Sequence, residues 1–196
     1  MEKQRSLASY RAIDLMLWAA ILVIFEGIIL RAARSMLFAD QAFTVSLAGA
    51  ITSIVFMRWG AWGGIHAALA GAVFVLLGGG TWAQMLIYTG GNLLALAMVP
   101  VMNRIGRERI RQSTGMSLAV SVGALLLMQT GRALLALTMG AGISGAVHFF
   151  TTDSLSAVFT AVIIWIARRL DGIYEDQRHY LRRLQTEQEK ERMDSL

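Results

Sequence analysis

The sequence predicts an all-α membrane protein: a helical bundle that crosses the bilayer about six times and ends in a charged cytoplasmic helix. Three observations carry this. Charged residues make up 16% of the 196 residues and hydrophobic residues 56%, where soluble domains carry roughly 25% charge. Long stretches have no polar face. Between Gly115 and Gly131 the only polar side chains are Ser117, Ser121, Gln129 and Thr130, and a helix apolar all round is either deeply buried or faces lipid. A chain this short cannot hide several such helices in a water-soluble core, so lipid must cover them. Finally, lysine and arginine gather on alternate connections, as they do when they set membrane orientation.

A spanning helix needs roughly 20 mostly apolar residues. The first run is Ala12 to Leu30, and the second is Phe43 to Met57. A short turn at Arg58, Trp59 and Gly60 leads to the third, Ala61 to Leu77, which Gly78, Gly79 and Gly80 break. The fourth covers Ala83 to Met102 and the fifth Met116 to Met139. A glycine-rich loop, Gly140 to Thr152, precedes the sixth, Leu155 to Ala167. Spans two and six are short, so a five-span reading stays open. The only proline, Pro100, sits near a helix end. The first apolar run is too long for a signal h-region and lacks a small-residue cleavage site.

With six spans, Lys3, Arg5, Arg11, Arg58, Arg104, Arg107, Arg109, Arg111, Arg168 and Arg169 fall on one side. By the positive-inside rule that side and both termini are cytoplasmic, in the cell membrane. Arg31 and Arg34, on the opposite side, break the rule and need a reason. Residues 1–170 thus form the bundle and 171–196 a separate cytoplasmic tail. The tail is nearly half charged, with a weak apolar stripe of Ile173, Tyr180, Leu181 and Leu184. It reads as a solvated helix or as a docking helix for a cytoplasmic partner.

Gly60, Gly64, Ala68 and Ala72 recur four apart, with Gly63, Ala67 and Gly71 beside them. Such spacing lets helix backbones approach closely, here most simply inside the bundle, alternatively against a partner subunit. Polar groups within spans say more, because a charge there costs several kcal/mol unless paired or wetted. Glu26 lies late in span one. Arg132 lies in span five, with Gln129 about one turn earlier. In span four Gln84, Tyr88 and Asn92 recur every fourth residue and make one polar stripe, which should face the bundle interior. Six spans put Glu26, Gln84, Tyr88 and Arg132 in the outer half, with Arg31, Arg34, Trp82, His148 and Asp153 at its rim. This convergence describes a substrate-binding pocket open to the outside. Two simpler readings compete: Glu26 and Arg132 pair with each other for register alone, and Asp153 caps the sixth helix. His66 reads as a neutral packing histidine, and His148 alone makes no metal site.

The absence of cysteine excludes disulfides, thiolate metal sites and cysteine nucleophiles, and no cofactor is expected. Gly142-Ile143-Ser144-Gly145 looks like the GxSG serine motif of rhomboid intramembrane proteases. Those enzymes activate the serine with a histidine on a later span. The later histidines here are the neighbouring loop residue His148 and His179 in the tail. HExxH, P-loop and GxGxxG motifs do not occur, so the chain is read as no enzyme.

The arrangement resembles the substrate-binding components of energy-coupling factor transporters: small membrane proteins, mostly of six helices, with both termini cytoplasmic and a vitamin-binding pocket closed by outer loops. Those loops would be Arg31 to Gln41, Gly78 to Trp82 and Gly140 to Asp153. Met57-Arg58-Trp59-Gly60-Ala61-Trp62-Gly63-Gly64 looks like the turn and glycine-rich helix start after the second helix of that group. The family's docking patch AxxxA has a match at Ala8-Ser9-Tyr10-Arg11-Ala12, and Met16 falls between Ala12 and Ala20. The resemblance implies uptake of a micronutrient, with a membrane energising subunit and ATPase subunits as partners beside the lipid bilayer and the small-molecule ligand, and no nucleic acid. Arg132, Arg31 and Arg34 would make the pocket positive, so a carboxylate- or phosphate-bearing ligand is expected, with Trp82 and Tyr88 stacking on a flat ring. The alternative is a membrane scaffold or sensor acting through its tail, or a small autonomous carrier.

Overall fold

The computed structural model describes residues 7–32 and 44–194. Every regular element among them is helical: α1 (Leu7–Ala32), α2 (Ala48–Trp59), α3 (Gly63–Gly78), α4 (Trp82–Asn92), α5 (Met98–Ile105), α6 (Arg107–Gln112), α7 (Thr114–Thr138), α8 (Ile143–Thr152), α9 (Ser154–Ala167) and α10 (Gln177–Asp194). Short 3-10 turns, Gly60–Trp62 and Leu93–Ala97, join α2 to α3 and α4 to α5. Five helical stretches are long and apolar enough to cross a membrane: Leu7–Ala32, Ala48–Gly78, Trp82–Ile105, Thr114–Thr138 and Ile143–Ala167.

The apolar surface and the charged interior mark this as a membrane fold. α1 buries a stripe four residues apart, Asp14, Trp18, Leu22, Glu26 and Leu30. It exposes Met16, Leu17, Ile24, Phe25 and Ile28. In water such an inside-out pattern would sacrifice the hydrophobic drive. In lipid it is the economical arrangement, because acyl chains are as apolar as leucine and polar groups must find partners inside.

The stretch Ala48–Gly78 is a hairpin. Arg58 bonds Asp14, and the His66 ring donates from Nε2 to the Leu15 carbonyl at 3.0 Å, so both meet α1 at one level. Leu47 donates its backbone N–H to Glu26 at 2.8 Å, and Leu77 packs beside Gly27, so both meet α1 again two turns from its other end. The reversal occurs at Gly60, whose φ of +63° only glycine adopts without strain. Its two arms run antiparallel. α2 has 12 residues, about 18 Å at 1.5 Å per residue, and every one is buried. It is the central helix, with α1, α3, α7 and α9 around it.

Glycines set the two tightest crossings. A methyl on Gly131 would lie 2.0 Å from the Gly91 carbonyl oxygen, and one on Gly91 would lie 2.5 Å from the Arg132 nitrogen. α4 and α7 therefore touch backbone to backbone, which delivers Asn92 and Arg132 to the same point. On α3, Gly71 lies against the Tyr88 backbone, Gly64 against Leu96 and Gly63 against Phe56. The small-residue face of α3 packs within the bundle.

Two expectations need correcting. The segment Gly140–Thr152 is no loop; after a turn at Gly140 (φ +88°) it forms α8. Ile143, Ala146, Val147, Phe149 and Phe150 give this helix its apolar content, and the glycines serve only to start it. α8 packs back along α7 and passes into α9 at Asp153. The tail is also not free of the bundle. Tyr174, Glu175 and Gln177 are buried. Arg58 donates to the Gly172 and Ile173 carbonyls, Arg107 pairs with Asp176 at 2.5 Å, and Arg111 with Glu175 at 3.2 Å. The charges that suggested a solvated helix are used here to hold residues 171–177 against the arginine-rich end.

Candidate functional site

The buried polar groups form two clusters, one at each end. At the arginine-rich end the Asp14 carboxylate accepts from Arg58 Nε at 2.8 Å and Nη2 at 2.6 Å, and from Trp59 Nε1 at 2.6 Å. The third guanidinium nitrogen goes to the tail carbonyls already named. Arg58 also stands over the Trp18 ring. Asp14, Arg58 and Trp59 are all partnered, whereas at the same end His66 Nδ1 and the two Glu175 oxygens have no hydrogen bond.

At the opposite end Arg132 is the centre. α7 carries it into the core, where it is 4% exposed, a depth at which an unpaired guanidinium is untenable. Its Nε donates to Asn92 Oδ1 at 2.7 Å and its Nη1 to Asp153 Oδ2 at 2.6 Å. The guanidinium lies 4.7 Å from the Tyr88 ring. Tyr88 in turn stacks on Phe74 at 5.0 Å and meets the edge of Phe149 at 5.7 Å. The network continues both ways. Asn92 donates to the Ala67 carbonyl, and the Thr44 hydroxyl donates to the other Asp153 oxygen. One chain of hydrogen bonds thus ties α3, α4, α7, the α8–α9 junction and the entry to α2.

Glu26 sits in the same layer, wholly buried. One carboxyl oxygen accepts from Leu47 N–H, at the start of α2, where the helix dipole favours negative charge. The other has no partner within hydrogen-bond distance, although the Ser46 side chain lies beside the carboxyl. Around it Ser156 accepts from Ser46 N–H and donates to the Thr44 carbonyl. The described residues of this layer therefore hold two carboxyls against one guanidinium.

The structure divides the residues expected at the site. Tyr88, Asn92 and Arg132 meet, Gln129 is buried one turn before Arg132, and Glu26 completes the layer. Gln84 is exposed and closes a capping box with Thr81 at the start of α4, while it lines the same small cavity as Tyr88. Trp82 is 81% exposed. His148 points outward, and its carbonyl accepts the Thr151 and Thr152 hydroxyls. Arg31 is exposed and borders a groove with Val23, Gly27 and Leu77, apart from Arg132. Arg34 lies outside the described residues. Arg132 pairs with Asp153 and not with Glu26, and Asp153 does not cap α9 with its side chain: an acid beside a buried guanidinium gains more from the ion pair than from a backbone N–H. That pairing also removes the net positive charge expected of the pocket.

Sequence reasoning missed Phe74, Phe149, Thr44 and Ser156 here, and the whole Asp14–Arg58–Trp59 cluster. Asp14 was findable, because an acid inside an apolar run demands a cation at its own depth. Next to the Arg132 layer lies a cavity of about 130 Å³, lined by Leu30, Phe74, Val75, Gly80, Gln84 and Tyr88. That is room for a few waters, against roughly 300 Å³ or more for a small-molecule pocket. No cluster of His, Asp or Glu suited to a metal ion occurs among the described residues. Comparison with family models, curated protein sequences and solved structures returns no match.

Proposed function

We propose that this chain is the solute-capturing membrane subunit of a micronutrient uptake system, the role that the likeness to energy-coupling factor substrate-binding components implies. Six crossings are the reading that the α2–α3 hairpin supports, since its two arms run in opposite directions. Both termini and the clamped tail then share the cytoplasmic side with Arg58, Arg107, Arg111 and Arg168, in keeping with the positive-inside rule. The Arg132 layer falls in the outer half. The energy comes from a membrane partner and ATPase subunits, and the chain itself does no covalent chemistry.

The observation that carries the reading is the Arg132 layer itself. A buried ion pair with aromatic walls inside a membrane is expensive, and apolar residues of equal volume would serve folding as well or better. Arg132 also holds one partner that a ligand can replace. A solute carboxylate or phosphate matches the guanidinium as Asp153 does. Such exchange would free Asp153 and Thr44 together and loosen the α8–α9 junction from the entry to α2. Capture would thereby reach the bundle as a population shift, opening the room that the 130 Å³ cavity lacks.

The test is a thermal-shift and native mass spectrometry screen of the purified chain against carboxylated and phosphorylated vitamins and nucleobases. Arg132→Ala should weaken a hit at least about tenfold, the loss of roughly 1.4 kcal/mol, and Arg132→Lys should restore only part of it. Unchanged affinity in Arg132→Ala removes the proposal.

A second reading, a scaffold or sensor working through the tail, draws on one observation: residues 171–177 are fastened to the bundle by three arginines. Truncation after Arg183 keeps that clamp. Solute capture should survive it, whereas a scaffold should lose its partner.

A further inference from the structure

A hollow of about 650 Å³ lies at the arginine-rich end, between the α2–α3 turn, α5, α6 and the start of α10. Its lining is mixed. Trp62 and Val99 are among its apolar members. They continue into the apolar faces of α3 and α5, where Ile65 and Val101 are exposed. Arg178 and His179, both exposed, also line it, together with the carboxylates Glu108, Glu175 and Asp176. Arg107 and Arg111 line the hollow as well, held in place by Asp176 and Glu175. Gly60 keeps the approach open, because a methyl there would lie 2.7 Å from the Arg107 guanidinium. Among the described residues the Arg178 and His179 side chains, which border the hollow, show no hydrogen bond or ion pair.

We propose that this recess holds the phosphate headgroup of an anionic phospholipid. A tryptophan at the boundary between apolar spans and charged ends sits at headgroup depth. Basic pockets between spanning helices at the cytoplasmic surface suit phosphate headgroups, and arginines offer it matched donors. The exposed apolar residues next to the hollow favour the lipid source. A free phosphate needs only the cationic side, whereas a phospholipid also needs an apolar exit for its acyl chains, which Trp62, Ile65 and Val101 supply. The site is independent of solute capture, since Arg132 lies at the other end of the bundle.

The full chain in nanodiscs should melt higher in phosphatidylglycerol than in phosphatidylcholine, and phosphatidylglycerol adducts should persist in native mass spectra. Arg178→Gln with His179→Gln, both exposed and outside the core, should cut that preference roughly tenfold, from about 1 kcal/mol per surface cation. Arg104→Gln with Arg109→Gln, exposed at the same end but outside the recess, should leave it nearly intact. Equal losses in the two double variants would mean general charge attraction and would overturn the site. The absence of any phosphatidylglycerol preference would do the same. Full stabilisation by inorganic phosphate in detergent would replace the lipid with a soluble anion and refute the proposal.

Discussion

Two buried arginines, Arg58 and Arg132, stand at opposite ends of the bundle with almost equal burial, 5% and 4% exposed. Each has a carboxylate at 2.6 Å and an aromatic ring within 6 Å. They differ in what their surroundings leave over. At Arg58 the Asp14 oxygens are taken by Arg58 and Trp59, and the remaining guanidinium nitrogen is bound to tail carbonyls, which cannot be exchanged without undocking residues 171–177. At Arg132 the carboxylate is a side chain at a helix junction, and the nearby Glu26 has an oxygen without a partner. Burial and pairing therefore do not by themselves distinguish structure from function. The carboxyl in each layer differs: both Asp14 oxygens accept hydrogen bonds, whereas one Glu26 oxygen accepts none. At the arginine-rich end the oxygens without a hydrogen bond belong to Glu175, which pairs with Arg111 and Arg183 instead.

The largest expected effect breaks the clamp. Arg58→Ala strands Asp14 in the core and should cost about 3–5 kcal/mol, as removal of one partner of a buried pair does. Thermal unfolding in detergent should show it, and limited proteolysis should cut after Arg168 in the variant but not in the wild type. The matching experiment at the other end replaces both partners. Arg132→Met with Asp153→Leu leaves no orphaned charge, so its stability should stay near that of the wild type, while solute binding disappears.

The tail clamp also has a pH limit. Tyr174 is wholly buried and bonded to Ser121, and burial pushes its phenol up from 10.0 to about 12. Below pH 10 the docked and undocked tails are both protonated, and docking is insensitive to pH. Between pH 10 and 12 only the undocked tyrosine loses its proton, so docking weakens by up to about 3 kcal/mol. Protease access to the tail should rise over that window, and Tyr174→Phe should remove this dependence.

Next comes the crossing that aims Arg132. Gly131→Ala places a methyl where the Gly91 carbonyl stands, so α4 and α7 must separate. About 1–3 kcal/mol should be lost in thermal unfolding, together with the Arg132–Asn92 bond. If the variant keeps both stability and affinity, the glycine contact does not position the site.

The sequence disclosed the helices better than their use. Apolar runs fell on all five long apolar stretches, because lipid imposes length and hydrophobicity directly, but the last stretch starts at Ile143 and not at Leu155. Pairing was less legible. Arg132 was visible as a charge among leucines, but its partner depends on where α8 ends, and α8 itself was obscured by Gly140, Gly142 and Gly145. Asp153 looked like a helix cap because its local sequence, Thr151-Thr152-Asp153, favours one. Gln84 looked like part of an inward stripe, yet its capping box is a purely local interaction that spacing cannot tell from an inward one. The tail clamp was invisible, since it joins Arg58 to carbonyls 114 and 115 residues away.

The smallest expected effect is the most discriminating. Glu26→Gln keeps an oxygen for the Leu47 N–H, so the start of α2 stays satisfied and stability should change by less than about 1 kcal/mol. If Glu26 is only a cap, solute affinity should also stay constant. If its free oxygen takes a donor from the solute, affinity should fall about tenfold while the melting temperature without ligand barely moves. Asp14→Asn provides the control: it removes a fully used carboxylate, so it should lower the melting temperature and leave affinity alone. Were Asp14→Asn and Glu26→Gln to give the same pattern, the unpartnered Glu26 oxygen would not be what separates these two carboxyls.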